Sequence, residues 1–378
     1  MRILAVHSIF GDNDKTKSAV DTWRIWRPLR ELKKHVDWQI DEQPTLIRGI
    51  EKYKDKAEFT EMEMQEAFNN ICHYDIVFSS YRADATGYTL LKVAADKAGV
   101  QFIMDVDDDM FAINPDNPFW ITMNDEKAYW MQCMIRDNTW ISTTTKQLAD
   151  VFIQRRVDHK PESVFINPNF ITDDYKHAPL KNKDIVIGYF GGSSHYADIH
   201  ETGLTGAITR IMHEYKNVRL KAVGMPFDSY VPKKRYEFVE GKRFNGWVNE
   251  IYPNLNMDIA LGPLKHDIFN KGKSNIKWQE ATRAGALFIA SDYGPYKGLK
   301  NALLVKDNTE DDWYNALKKA VDDEEYRRET VKMAQQELEQ DWRLESQWKV
   351  YKAMFEKVKE YKDANNKTIK GQGISTEK

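Results

Sequence analysis

Short apolar runs rich in β-branched residues alternate with amphipathic stretches along nearly the whole chain, and this alternation leaves few folds open. Strands are predicted over 2–9, 36–40, 75–80, 101–105, 140–142 and 163–166. Helices are predicted between them over 19–34, 50–72, 86–98, 125–137 and 146–154. Strand and helix in strict alternation bury a parallel sheet between two helical layers, the doubly wound α/β arrangement. The pattern restarts at 185–190, after the polar, proline-bearing stretch 179–184, with strands at 218–223, 258–261 and 286–291 and helices at 204–215, 311–321 and 324–340. At 378 residues the chain is long enough for two cores. The reading is therefore two Rossmann-like domains, 1–180 and 185–341, then a helix over 342–362 and a disordered polar tail over 363–378.

The densest chemistry lies in 261–296. A buried strand closes at Gly262-Pro263, a polar loop follows, and Lys273-Ser274-Asn275-Ile276-Lys277 opens a helix running to about Ala284. Ser274 is its expected N-cap. Free N–H groups at such a helix start, with Lys273 and Lys277 beside them, suit an anion. Strand 286–291 then ends in the turn Asp292-Tyr293-Gly294-Pro295-Tyr296. Both polar loops leave strands at their C-terminal ends, the edge where open α/β sheets bind ligands. At the start of the same half, Gly191-Gly192-Ser193 directly follows a strand, and a glycine pair there lets a ligand approach the backbone. His195, alone in that loop, reads as a ligand or, more often for such a histidine, as simply solvated.

The first half offers other candidates. Gly11 sits in the turn after the first strand and equally fits a turn that simply needs a glycine. In Trp23-Arg24-Ile25-Trp26-Arg27 the tryptophans are expected inward and the arginines snorkelling outward; stacking on nucleic acid is the less favoured reading. Residues 50–72 read as a solvated helix with Met62, Met64, Ala67, Phe68 and Ile71 as core contacts. The run Asp105-Val106-Asp107-Asp108-Asp109 places four carboxylates in five residues, which cannot all be buried unpaired. They line a solvent-filled cleft, hold a cation as an Asp-x-Asp motif does, pair with basic groups, or cap the helix that follows.

Composition excludes some classes. Residues 1–178 carry 22 Lys+Arg against 29 Asp+Glu, and the remainder 33 against 29. The acidic first half lacks a general footprint for nucleic acid, while the mildly basic second half suits a phosphate-bearing ligand. No apolar run approaches the roughly 20 residues needed to span a bilayer, and the N-terminus does not read as a signal peptide. Cys72 and Cys133 have no metal-like spacing and read as reduced residues of a cytoplasmic protein.

The pattern Pro-Leu…Phe-Asn-x-Gly-Lys-Ser-x-x-Lys-x-x-Glu…Gly…Ser-Asp-x-Gly-Pro-Tyr over 263–296 resembles the donor-binding half of GT-B glycosyltransferases, specifically the retaining family-4-like group and its aspartate-rich subgroup. The resemblance implies two Rossmann-like domains facing a cleft, with a final helix crossing back to brace the first. It implies a nucleoside-diphosphate sugar as donor, most often UDP-linked, with no separate cofactor and no metal. Glu280 then falls on the ribose, Lys273, Ser274, Lys277, Gly191, Gly192 and Ser193 near the diphosphate or sugar, and Trp247 beside the base. Asp107 and Asp108 stand where the group usually has a histidine at the reaction centre, and Gly11 faces the acceptor side. The group's first glutamate, eight positions before Glu280, is Gly272 here. The implied activity is sugar transfer to a polysaccharide, a lipid-linked sugar, a protein or a modified DNA base, with retention. A non-hydrolysing sugar-nucleotide epimerase and a non-catalytic sugar-nucleotide-binding protein share the same site expectations.

Overall fold

The computed structural model describes residues 1–6, 18–43, 56, 58–81, 84–123, 125–138, 140–158, 160–178, 182–227 and 231–371. Its strands form two all-parallel sheets of six. The first contains β1 (Arg2–Val6), β2 (Gln39–Gln43), β3 (Ile76–Ser80), β4 (Gln101–Val106), β5 (Trp140–Thr143) and β6 (Val164–Ile166), in the order β2-β1-β3-β4-β5-β6. The second contains β7 (Ile185–Phe190), β8 (Val218–Val223), β9 (Tyr236–Val239), β10 (Ile259–Gly262), β11 (Leu287–Ser291) and β12 (Leu303–Val305), in the order β12-β11-β10-β7-β8-β9. The central strands are covered on both faces, as parallel strands must be: Ile3, Leu4 and Ala5 in β1, and Ile259, Ala260 and Leu261 in β10, are fully buried. This is the GT-B fold, two Rossmann-like sheets with flanking helices.

The chain divides into two compact units. One comprises Met1–Asp107, Asp125–Pro168 and Trp348–Lys378; the other comprises Asp108–Asn124 and Asn169–Gln347. The final helix, Lys349–Gly371, belongs to the first unit, where it buries Tyr351, Met354, Phe355 and Val358. Phe355 meets Phe78 of β3 edge-on at 5.4 Å. The helix runs on to Gly371, through residues expected to be disordered, because a helix nucleated by a buried apolar face propagates cheaply into a polar sequence with no breaker.

Three further expectations are corrected. The charged helix predicted from residue 50 is described only as Glu61–Ile71, started by a capping box in which the Thr60 hydroxyl and Glu63 carboxylate satisfy each other's backbone N–H. Its Met62 is 80% exposed and contributes nothing to the core. The edge strands β9 and β12 were not anticipated, being short and partly exposed. The arginines of the Trp-Arg-Ile-Trp-Arg run do not snorkel. Residues Thr22–Trp26 form a π-helical turn between Ala19–Asp21 and Arg27–Lys33, and its wider winding turns Trp23, Arg24, Ile25 and Trp26 all inward. Arg24 is fully buried and grips Asp105 of β4 with two bonds, Nε to Oδ1 and Nη2 to Oδ2, both 2.8 Å. Its Nη1 also donates to the Asn167 carbonyl at 2.6 Å, and the Ser142 hydroxyl donates to Asp105 Oδ2 at 2.6 Å. Burial opposes the Arg24 charge, yet Asp105 outweighs it and holds the guanidinium above its ordinary pKa.

Candidate functional site

In the second sheet, β7 leads one way to β8 and β9, while β10 leads the other way to β11 and β12. The loops after β7 and β10 therefore leave at the topological switch point, where a doubly wound sheet opens a crevice beyond its strand ends. The candidate site is built there, within the second unit.

β7 ends in Tyr189 and Phe190, both buried, and the chain turns at Gly191. A Cβ at Gly191 would stand 2.5 Å from the Tyr189 hydroxyl and 3.3 Å from Cδ2 of His195, so only glycine fits. Gly224, at the end of β8, has φ +80°, and a Cβ there would lie 2.6 Å from the Gly191 carbonyl. The two glycines let these loops pass in contact. Gly192 has open space around it and, like Ser193, is exposed; nothing steric requires a glycine there.

The helix after β10 is Ile276–Arg283, with Asn275 at its N-cap position making no side-chain capping bond. Ser274 is therefore not the cap, a correction to the sequence reading; its hydroxyl accepts from Asn169 Nδ2 at 2.9 Å. Much of the loop expected before this helix folds as another short helix, Ile268–Lys271, capped by Asp267. Lys273 precedes the main helix, its Nζ 4.3 Å over the Phe269 ring and 3.7 Å from Asp108 Oδ1.

Lys277, in the first turn, is buried. Its Nζ lies 3.4 Å from the Tyr189 hydroxyl and 4.4 Å over that ring. Among the described residues no carboxylate comes within salt-bridge distance of it, and burial lowers its pKa to about 8. Burial likewise pushes the Tyr189 hydroxyl well above its usual range, so it stays neutral. One turn further on, the buried Glu280 carboxylate accepts from Trp247 Nε1 at 2.9 Å, while the Tyr252 hydroxyl donates to the Glu280 carbonyl at 2.8 Å. Trp247 in turn leans on Phe190, ring centres 5.3 Å apart. The first bond holds the Glu280 carboxylate at Oε1 and the second holds its backbone carbonyl.

His195 is not a solvated loop residue. Its Nδ1 lies 2.7 Å from Oδ2 of the buried Asp198, one helical turn along. Asp198 Oδ1 accepts from the Lys265 N–H at 2.8 Å and from Asn270 Nδ2 at 2.6 Å. Burial, with Lys277 alongside, pushes His195 down to about 4, so the ring is neutral at pH 7. Asp198, Tyr189 and Asn270 were not among the sequence candidates, and for His195 solvation was favoured over a ligand role. The only available signal was the i, i+3 spacing of His195 and Asp198.

The aspartate run is divided. Asp105 is consumed by Arg24, and Asp109 is buried with its Oδ1 accepting from the Phe111 N–H at 3.2 Å. Asp107 and Asp108 are half-buried and fall on either side of the division between the two units. Among the described residues no group of three or more His, Cys, Asp or Glu side chains is arranged to hold a metal ion. Gly11 lies outside the described residues. Among those residues, too, no helix is long and apolar enough to cross a membrane.

The second unit thus presents a buried ammonium without a salt-bridge partner among the described residues, a helix start whose N-cap makes no side-chain bond, a carboxylate held by Trp247 and a neutral imidazole held by Asp198. No family model matches the chain, and no curated protein matches it. Solved structures do. HepE from Anabaena, solved with UDP-glucose, superposes at a TM-score of 0.61 with 12% identity, covering 94% of this chain and 100% of that one. Sucrose-phosphate synthase from Thermosynechococcus elongatus gives 0.61 and 12%, over 94% and 99%. A UDP-forming α,α-trehalose-phosphate synthase from Burkholderia xenovorans gives 0.57 and 11%, over 94% and 99%. At these identities the likeness is one of fold.

Proposed function

We propose that the chain is a nucleotide-sugar-dependent glycosyltransferase that moves a sugar from a nucleoside-diphosphate sugar to an acceptor with retention. The observation that carries this reading is Lys277. A buried ammonium with no carboxylate within salt-bridge distance among the described residues is costly unless a ligand supplies the negative charge. The Ile276–Arg283 helix start and Lys273 add positive potential around it, so the natural occupant is a diphosphate. Glu280, one helical turn beyond Lys277 and held by Trp247, is then the carboxylate proposed to accept from two neighbouring ribose hydroxyls, with the Trp247–Phe190 pair toward the base. The structural neighbours HepE, solved with UDP-glucose, and the UDP-forming synthase point to a UDP-linked donor.

In transfer, charge builds on the departing diphosphate. Lys277 and the helix N–H groups are already oriented toward it and need no reorganisation, which is how preorganised electrostatics lowers a barrier. No cofactor or metal is required by this scheme. Asp107 and Asp108 are proposed as the carboxylates nearest the reacting carbon, and retention rests on the resemblance in 263–296. The first unit is proposed to recognise the acceptor, a polysaccharide, a lipid-linked sugar, a protein or a modified DNA base.

The test is incubation with a panel of UDP-, GDP- and ADP-sugars and mixed acceptors, following nucleotide release and product mass, in the presence and absence of EDTA. Nucleotide release coupled to a glycosylated product supports the reading. Failure of every nucleoside diphosphate to bind would overturn it.

A further inference from the structure

The proposed diphosphate site has a neighbour that phosphate chemistry does not use. His195 is held by Asp198, and Asp198 is itself held by the Lys265 N–H and the Asn270 amide. A carboxylate that already accepts two donors and lies 2.7 Å from Nδ1 keeps the proton on Nδ1. Nε2 is then a lone pair, an acceptor only. Among the described residues Nε2 has no hydrogen-bond partner, although the side chain is only 17% exposed. Constructing such a group is expensive: Asp198 is 3% exposed, and two further donors are committed to holding the carboxylate that fixes the ring.

Its position follows from contacts. Lys277 Nζ meets the Tyr189 hydroxyl, and a Cβ at Gly191 would meet both that hydroxyl and the His195 ring. The cations that act on the His195 ring are Lys277 and Lys273, whereas Glu280 follows Lys277 by one turn of the same helix. If the diphosphate spans Lys277 and the ribose reaches Glu280, the group beyond the diphosphate at His195 is the sugar. The chemistry agrees. Phosphate oxygens at neutral pH are acceptors and gain nothing from a second acceptor, whereas a pyranose offers hydroxyl donors. Gly272, where a carboxylate would otherwise be available to bond those hydroxyls, provides no side chain.

We infer that His195, positioned by Asp198 and Asn270, is a sugar-hydroxyl ligand that lets this site distinguish a sugar-bearing donor from the bare nucleotide. The inference rests on the proposed donor site. His195 touches the substrate, while Asp198 and Asn270 are positioning residues that act through it. The groups facing the ring are Asp198 on its own helical turn, Lys277 and Lys273 from the following helix region, and Tyr189 from β7.

The experiment compares calorimetric affinities of the full-length protein for UDP and for UDP-glucose, UDP-galactose, UDP-N-acetylglucosamine and UDP-N-acetylgalactosamine. The donor with the largest gain over UDP is then used for His195→Phe, His195→Gln and Asp198→Asn. His195→Phe should bind UDP within twofold of wild type but lose about tenfold for the sugar nucleotide. His195→Gln, whose amide oxygen reaches the place of Nε2, should recover most of the loss. Asp198→Asn should lose the sugar increment partly, with melting temperature monitored to separate folding from binding. Equal sugar-nucleotide affinity in His195→Phe and wild type would overturn the inference while leaving the donor site intact, as would a wild type that binds UDP but gains nothing from any sugar. Absence of UDP binding in wild type would instead overturn the underlying reading, and this inference with it.

Discussion

Arg24 in the first unit and Lys277 in the second are both closed off from solvent, yet the chain treats them in opposite ways. Arg24 is met by both oxygens of Asp105, by a carbonyl and by a nearby hydroxyl, so its charge is compensated within the fold. Lys277 has an aromatic face and one neutral hydroxyl at 3.4 Å. Desolvation of a cation costs several kcal/mol in either place, and only the first recovers it internally. A compensated buried charge is scaffold; an uncompensated one is a standing demand for a ligand. The pKa values follow the same division, Arg24 pushed above its ordinary value and Lys277 drawn down to about 8.

The contrast breaks most visibly if one partner of the closed pair is removed. Asp105→Asn should cost about 3–5 kcal/mol of stability, because Arg24 is left charged and unpaired. Urea unfolding checks this, and replacing both residues by apolar ones of similar size should be much milder. A loss under about 1 kcal/mol for Asp105→Asn alone would show that the pair is not holding the first unit. Lys277→Met should do the reverse. We expect unchanged or raised melting temperature and a loss of about 2–3 kcal/mol in UDP affinity, the worth of charge-assisted bonds. A variant that unfolds but, where folded, binds normally would sink the idea that Lys277 awaits an anion.

Glu280→Ala should weaken UDP binding by about 1–3 kcal/mol, as expected for lost bonds to a charged acceptor. Unchanged affinity would remove the ribose contact. A comparable effect is expected with pH. Lys277 titrates near 8 without ligand, below its unfolded value, so the free protein gains stability as pH rises from about 8 toward that value. Anion binding needs the protonated form and should weaken over the same range, approaching tenfold per pH unit above 8. A flat UDP affinity between pH 7 and 9.5 would contradict this.

The alternation of strands and helices was legible because parallel strands buried on both faces must be apolar throughout, and β7, for example, is found at the predicted residues. Edges were not, since β9 and β12 satisfy only one neighbour and need little apolar character. The proposed anion end was nominated from Lys-Ser-x-x-Lys because those residues are close in sequence. The Arg24–Asp105 pair spans 81 positions, and Asp198–Asn270 spans 72; no local pattern announces such partners. Ser274 shows the opposite failure: a residue with every local mark of a cap was recruited by Asn169, 105 positions away.

The arrangement of the first unit has a consequence for how the molecule is made. Its sheet is encoded before residue 168, but Tyr351, Met354, Phe355 and Val358, which close over it, are translated only after the entire second unit. During synthesis the earlier-born unit must wait with an apolar face uncovered while the later-born one can already finish. The order of completion is the reverse of the order of emergence, and such waiting surfaces are the ones chaperones hold.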